Sequence, residues 1–266
     1  MKTRTFSIAI LAVYGALVAF ATLSALLGYR MHPIFTPLLS LLAFTFALLH
    51  GSLRLGWRKA LLLLALTFGV SLLFESVGVA TGWIYGPYHY TDRLGPLFLG
   101  LVPYLIPVAW FMMTYPSYVI ATRLAPAFKS IWAWRLWVAA VGALVMTAWD
   151  LAMDPMMSAG GHWIWEVEGA YFGIPLQNYW GWWLTVFVAF MLFLTLGKVT
   201  NKFVTTIGEH RSDDFSRYDR LAILSYALTG LSSIAIDLRY GLGGAGMAGL
   251  FAMLPWVILG WRERAQ

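Results

Sequence analysis

Four carboxylates lie where an apolar chain tolerates them least. Glu75, Asp150 and Asp237 each sit near the same end of a long hydrophobic stretch, and Asp154 follows Asp150 by one helical turn. An ionisable group at bilayer depth is costly, so each is a candidate for function by default. The sharpest local motif is Trp149-Asp150-Leu151-Ala152-Met153-Asp154-Pro155. Residues four apart share a helix face, which brings the two carboxyls within hydrogen-bonding or shared-proton range. Like charges that close cannot both ionise in a low dielectric, so the pair holds one proton, as a general acid must. The plainer alternative for Asp154 is a cap on a helix that ends at Pro155 and faces water. For Glu75 it is a structural hydrogen bond to another helix. For Asp237 it is an interfacial ion pair with Arg239, beside Tyr240. Because the acids fall at one side of the apolar stretches, a single buried acidic pocket is expected.

The elements that must position these acids are membrane helices. The 266 residues are 60% hydrophobic and only 11% charged, too few charges for the polar shell of a soluble domain. Eight runs approach or exceed the ~18–20 residues that cross a bilayer. They cover roughly 6–28, 34–50, 60–80, 97–121, 132–153, 180–197, 221–237 and 241–260, the second being the shortest. They leave no room for a separate soluble domain, so residues 1–266 are expected to form one all-α polytopic bundle. Met1–Leu27 starts with Lys and Arg, but its apolar stretch exceeds the ~7–15 residues of a signal peptide's core. A retained first span is the expectation.

The net charge of +6 is explained by where the bases fall. With eight spans, the side of the termini carries fifteen Lys and Arg residues, from Lys2 and Arg54 to Lys198, Arg220 and Arg264, while the other side has only Arg30, Arg93 and Arg239. That bias puts both termini in the cytoplasm, and the acids towards the extracytoplasmic side of an inner membrane. It also removes the case for a nucleic-acid partner. The Lys198–Arg220 connection mixes both signs and reads as a solvated linker.

The loops beyond the acids are unlike the basic ones. Gly82–Pro96 and Asp154–Gly181 are dense in Trp, Tyr, Gly and Pro. Aromatic belts at the membrane surface account for many of the fourteen tryptophans. They explain less well why rings crowd two loops that each follow an acid. Glu75 precedes Gly82-Trp83-Ile84-Tyr85 and Asp154 precedes Gly161-His162-Trp163-Ile164-Trp165, with equal spacing from acid to glycine. A degenerate repeat of two hairpins is one reading of that spacing. Pro103, Pro107 and Pro116 mark the fourth span, where proline kinks a helix and frees carbonyls. Small residues at Gly241, Ala245 and Gly249, and at Gly244, Ala248 and Ala252, permit close helix approach in the last span.

Other chemistries are disfavoured. There is no cysteine, hence no disulfide, thiolate nucleophile or Cys-based metal site. The five histidines form no HxxxH or HxxHH set of the kind a di-iron membrane oxygenase needs. Asp150 and Asp154 have the DxxxD spacing of diphosphate-binding prenyltransferases, but only Arg30, Arg93 and Arg239 share their side. No lysine falls mid-span in the last two helices, where an opsin places its Schiff base. Glu166 and Glu168 read as solvated loop residues.

The run Glu75…Gly82-Trp83-Ile84-Tyr85-Gly86-Pro87-Tyr88, the Trp149-Asp150…Asp154-Pro155 turn and the stretch Tyr171-Phe172-Gly173-Ile174-Pro175…Asn178…Gly181-Trp182 resemble the integral-membrane carotenoid 1′,2′-hydratases of the CruF type. That family of carotenoid biosynthesis proteins includes the bisanhydrobacterioruberin hydratases. The motif likeness spans about residues 70–185, and the span layout agrees over the whole chain. It implies cofactor-free and metal-free addition of water to the terminal C1′=C2′ bond of an acyclic carotenoid, giving a tertiary alcohol.

The residues suit such chemistry independently. Protonation at C2′ generates a tertiary cation at C1′, which aromatic faces can stabilise without capturing it. Two acids in different protonation states serve proton delivery and proton removal from water. The expected catalytic set is Asp150, Glu75, Asp154 and Asp237. The expected substrate-facing set is Trp83, Tyr85, Tyr88, Trp149, Trp163, Trp165, Tyr171 and Asn178, with Trp83, Tyr85 and Trp163 foremost at the pocket mouth. The implied partners are the carotenoid, water and the lipid bilayer, with other membrane enzymes of the same pathway as candidate neighbours. The alternatives are a membrane carotenoid cyclase, which loses a proton where a hydratase adds water, and a proton-coupled transporter or lipid carrier using the acids as a relay.

Overall fold

The protein is described by a computed structural model over residues 2–29, 31–200 and 213–262. Arg30, Arg264 and most of the Lys198–Arg220 linker lie outside the described residues. Among those residues, eight helices are long and apolar enough to cross a membrane. They are α1 (Lys2–Leu26), α2 (Phe35–Leu55), α3 (Trp57–Thr81), α4 (Leu105–Leu124), α5 (Ile131–Ala159), α6 (Leu176–Leu196), α7 (Asp213–Arg239) and α8 (Gly243–Trp261). The protein is an all-α polytopic membrane protein.

Helix α4 runs through the middle, packed by α2, α3, α5, α7 and α8. Every residue from Trp110 to Thr122 is buried, as expected for a helix apolar on all faces. Helix α1 lies outside, against α2 and α7. Its few polar groups mark the α7 seam: Ser7 bonds Tyr218 at 2.7 Å, Tyr14 bonds Thr229 at 2.7 Å and Thr22 bonds Ser232 at 3.0 Å. The small residues of α8 behave as expected. A Cβ at Gly249 would lie 2.5 Å from that of Ala152, so α8 and α5 touch nearly backbone to backbone.

Two boundaries differ from those read in the sequence, and each has a local cause. The fourth helix begins at Leu105, because residues 97–103 instead form a hairpin of β2 (Leu97–Phe98) and β3 (Val102–Pro103). Leu99 and Gly100 turn that hairpin at positive φ. Pro103 therefore sits in a strand, and Pro107 lies in the first helical turn, where no donor is needed. Pro116 is the interior proline of α4. Asp219, at the end of the linker read as solvated, is instead buried and joined to Arg54 in an ion pair at 2.9 Å.

The second boundary bears on the site. Helix α5 does not close at Asp154 but continues through Pro155 to Ala159. Proline at 155 leaves the carbonyl of Leu151 without its helical donor. The Tyr171 hydroxyl donates to that carbonyl at 2.9 Å. Burial, with Asp237 and Asp150 nearby, pushes the Tyr171 phenol up to about 12, so it remains a donor. Asp154 thus lies inside a helix and is 2% exposed, which removes the reading of it as a water-facing cap.

The two aromatic loops pair with each other. Strand β1 (Tyr88–Tyr90) runs antiparallel to β4 (Trp163–Trp165), with Tyr88 opposite Trp165 and Tyr90 opposite Trp163. Gly82 and Gly161 both take left-handed φ, which lets each chain leave its helix. The strands then start six and two residues later, so the equal acid-to-glycine spacing does not extend into a repeated hairpin.

Candidate active site

Alternate residues of a strand share a face. The β1–β4 register therefore puts Tyr88, Tyr90, Trp163 and Trp165 on one side of the ribbon, while His89 and Ile164 point outward and are exposed. The inner rings touch across the strands, Tyr88 to Trp165 at 5.0 Å and Tyr90 to Trp163 at 5.9 Å between centroids. Together they cover a cavity of about 190 Å³ walled by α1, α2, α3, α4, α5, α6 and α7. Glu75 and Asp154 both face it.

Glu75 is 3% exposed and surrounded by donors. It accepts from the Tyr88 hydroxyl in a short hydrogen bond, from Tyr90 at 2.8 Å and from the Trp110 indole at 3.0 Å. Burial, with Glu75 the nearest charge, holds the Tyr88 and Tyr90 phenols well above their usual value, so both stay protonated. Three donors on two oxygens match the acceptor-only inventory of a carboxylate.

Asp150 and Asp154 are joined through one amide. The Asn178 side chain, from the first turn of α6, donates to Asp150 Oδ2 at 2.9 Å and to Asp154 Oδ2 at 2.6 Å. Trp163 donates its indole N–H to the other oxygen of Asp154 at 2.7 Å. Asp150 Oδ1 is buried without a partner. A carboxylic acid carrying its proton there would be a free donor in an otherwise satisfied network. Asp154 borders the cavity, and Asp150 lies behind it.

The remaining walls are aromatic. Trp182 stacks on Trp110 at 4.2 Å and meets Trp149 edge-on at 6.0 Å. Trp149 is anchored by Ser233 on α7 at 3.2 Å. Tyr85 is wedged between α3 and α6: a Cβ at Gly78 or Gly181 would fall 2.6 or 2.5 Å from its ring. Its hydroxyl bonds Thr185 at 2.7 Å. The Trp165 indole N–H is buried near the Asp154 carboxylate, short of a hydrogen bond of ordinary geometry.

The structure thus gathers most of the residues expected from the sequence. Glu75, Asp154, Tyr85, Tyr88, Trp149, Trp163, Trp165 and Asn178 line one cavity, with Asp150 one hydrogen bond removed. Three residues are placed elsewhere. Trp83 is 83% exposed at the start of its loop, where Gln177 bonds its carbonyl. Tyr171 supports the Pro155 turn from outside the cavity. Asp237 is fully buried but sits behind the α7 wall against Gly246 of α8. It makes no ion pair with Arg239, and both its oxygens lack hydrogen-bond partners.

Sequence reasoning missed Tyr90, Trp110 and Trp182. The alternation Tyr88-His89-Tyr90 is the strand signal that would have found the first. Nothing local distinguishes Trp110 and Trp182 from packing residues. Among the described residues, no three His, Cys, Asp or Glu side chains gather as a metal-binding group.

A helical membrane bundle with a buried, aromatic-lidded acid cavity is the class that this fold and site define. The chain belongs to the carotenoid biosynthesis protein family, whose family model matches residues 35–245. The matched region contains every residue of the cavity but those contributed by α1. A bisanhydrobacterioruberin hydratase from Haloarcula japonica is 40% identical over 136 residues. That alignment covers 51% of this chain, and the chain spans 45% of the relative's length. No solved structure matches the chain significantly.

Proposed function

We propose that this protein hydrates the terminal C1′=C2′ bond of an acyclic carotenoid, using the cavity between Asp154 and Glu75. The observation that carries the reading is two carboxylates of unlike surroundings facing one aromatic-walled space, without a cation beside either. The family and the hydratase relative support it.

The Asp150–Asp154 pair holds one proton, and Asp154 delivers it to C2′. The electron pair of the double bond forms the new C–H bond, leaving a tertiary cation at C1′. The faces of Trp163, Trp165, Trp182 and Tyr85 surround that cation, and the Glu75 carboxylate stabilises it electrostatically. Water adds at C1′, and Glu75 takes the proton released from the oxonium. Return of that proton to the aspartate pair closes the cycle. Alkene plus water gives tertiary alcohol, with no oxidant or reductant.

Size restricts what enters. A cavity of 150 Å³ accommodates a benzene-sized guest, so about 190 Å³ admits an isoprenoid end group and excludes a whole polyene. The remainder of the substrate lies along the helices in the bilayer. The distribution of basic residues supports cytoplasmic termini, with the lid and acids towards the extracytoplasmic face of the inner membrane. Expression in a strain that accumulates acyclic carotenoids, followed by pigment mass measurement, tests the reading. Gain of one water per reacted end is expected. An unchanged mass with a new ring would make the protein a cyclase, and an unchanged pigment would remove the enzymatic reading.

A further inference from the structure

Beside the acid cavity lies a second, larger chamber of about 940 Å³ that the chemistry above does not use. Its walls come from the α1–α2 loop, the end of α5, the short helical turn at Asp92–Leu94 and the end of α7, and they include His32, Asp92, Arg93, His162, Arg239 and Tyr240. The cavity, in contrast, is walled mainly by rings, methionines and aliphatic groups around its two acids, with Asn178 and a few Ser and Thr hydroxyls and no basic residue. The two spaces share four residues: Thr36, Met156, Met157 and Ile236. Met156 and Met157 lie two and three residues beyond Asp154 on α5.

We propose that the polar chamber is the water vestibule of the acid cavity, and that water crosses between them at Thr36, Met156, Met157 and Ile236. The proposal rests on the hydration reading, which consumes one water per turnover in a largely apolar space covered by the aromatic ribbon. Methionine is unbranched and flexible, so two adjacent methionines form a partition that a water molecule can pass. The partition is held from the vestibule side. His162 bonds the Met157 carbonyl through its backbone N–H at 3.0 Å and its ring Nδ1 at 3.2 Å. Burial lowers the affinity of that imidazole for a proton, so it stays neutral and Nδ1–H is the donor. Arg93 clamps the Gly160 carbonyl at 2.6 Å and Thr91 the Gly161 carbonyl at 2.8 Å. A wet vestibule and a nearly dry cavity would let the acids act on the alkene before bulk water reaches them.

The absence of cysteine makes the test clean, since single cysteines can be introduced without background. Met157→Cys and Ile236→Cys would be labelled in membrane vesicles with a charged, membrane-impermeant thiol reagent applied to either face. Tyr240→Cys in the vestibule is the accessible control, and Leu73→Cys, on the exposed side of α3, is the lipid-facing one. A thiol in apolar surroundings keeps its proton and reacts about tenfold more slowly per pKa unit. Both partition cysteines should label from the face that labels Tyr240→Cys, and faster than Leu73→Cys. Labelling no faster than Leu73→Cys would overturn the proposal.

Met157→Trp supplies the functional arm in D2O. Hydrated product should fall while deuterium still enters the unhydrated carotenoid, because the cation forms and then loses a proton for want of water. Loss of hydration and exchange together, or no change in either, would count against a water route here. If the partition cysteines label as expected but no variant or wild type adds water to any carotenoid, the hydration reading fails and the vestibule stands.

Discussion

The bundle buries polar groups at both ends, and the two ends handle charge in opposite ways. At the end nearer the termini, Asp219 is matched by Arg54 at 2.9 Å, and the guanidinium also bonds Thr122 and lies over the Tyr118 ring. His50 is held between the Tyr115 hydroxyl at 2.6 Å and the Tyr218 carbonyl at 2.8 Å, and stacks on the Tyr218 ring. The carbonyl can only accept, so His50 donates from Nε2 and, when neutral, accepts from Tyr115 at Nδ1. At the lid end, Glu75, Asp150, Asp154 and Asp237 make no salt bridge among the described residues. The partners of the first three are neutral phenols, indoles and one amide, and Asp237 has no hydrogen-bond partner on either oxygen. A buried ion pair neutralises itself and holds elements in register. Buried acids without a cation have no such structural explanation, and that contrast is why we place the chemistry at the lid end.

The largest expected effect tests that placement directly. General acid catalysis contributes about 10²–10⁴-fold, so Asp154→Asn should lower the rate of hydrated-carotenoid formation by that order, with protein abundance in the membrane near wild type. Asp150→Asn should be similarly damaging although it does not touch the cavity, since it removes one of the two carboxyls that Asn178 joins and between which the proton is shared. Hydration at the wild-type rate in Asp150→Asn would take the shared proton out of the mechanism.

Arg54→Met is the reciprocal experiment at the other end. Leaving Asp219 buried without its partner should cost about 3–5 kcal/mol, read as a loss of membrane-extracted folded protein on heating. The products made per folded molecule should be unchanged. A variant of full stability but altered product would erase the distinction between the ends. Asp219→Leu added to Arg54→Met should restore part of the stability.

How much of this was legible in the sequence depends on the range of the interaction involved. Helices α1 to α8 follow from hydropathy, a local property, and the acids follow from the cost of an ionisable group within a span. The turn at Asp150–Asp154 was visible as a shared face, but its continuation past Pro155 was not, because the donor that rescues the Leu151 carbonyl is Tyr171, twenty residues on. The lid was half legible. Two aromatic loops could be seen, but their pairing joins residues about 75 positions apart and decides which rings turn inward. Trp83 was misplaced for that reason: it precedes the strand and faces out. Asp237 looked equivalent to the other acids by depth, yet it packs against Gly246 of α8 and does not border the space that Ser233 and Ile236 line, a contact between helices that the sequence does not display.

Glu75→Gln sharpens the comparison at intermediate size. A glutamine keeps the shape but turns one acceptor into a donor, facing a site already supplied with three donors. About a hundredfold loss of turnover is expected from removal of the base, together with a packing fault that could mimic it. Glu75→Gln combined with Tyr90→Phe relieves the surplus donor. If the double variant regains stability but not turnover, measured by heating and by product formation, Glu75 acts through its charge. If turnover returns with stability, Glu75 is structural, as the Arg54–Asp219 pair is.

Trp165 gives the smallest and most discriminating effect. Trp163 and Tyr90 are poor probes of ring electrostatics, because each also donates a hydrogen bond to an acid. Trp165 faces the cavity, and its indole N–H makes only a marginal contact with Asp154, short of a hydrogen bond of ordinary geometry, so Phe at this position loses the least polar interaction of the three. A desolvated cation–π contact is worth about 2 kcal/mol. If realised only in the transition state, that is roughly thirtyfold in rate. Trp165→Leu should therefore slow hydration by about that factor while leaving substrate uptake into the membrane unchanged, and Trp165→Phe should cost much less. Trp83→Leu, on the same loop system but outside the cavity, should change neither. Equal rates for the Leu and Phe variants at 165 would mean that the lid only excludes water. The cation would then be stabilised by Glu75 alone, and the lid end would differ from the Arg54 end in its acids and not in its rings.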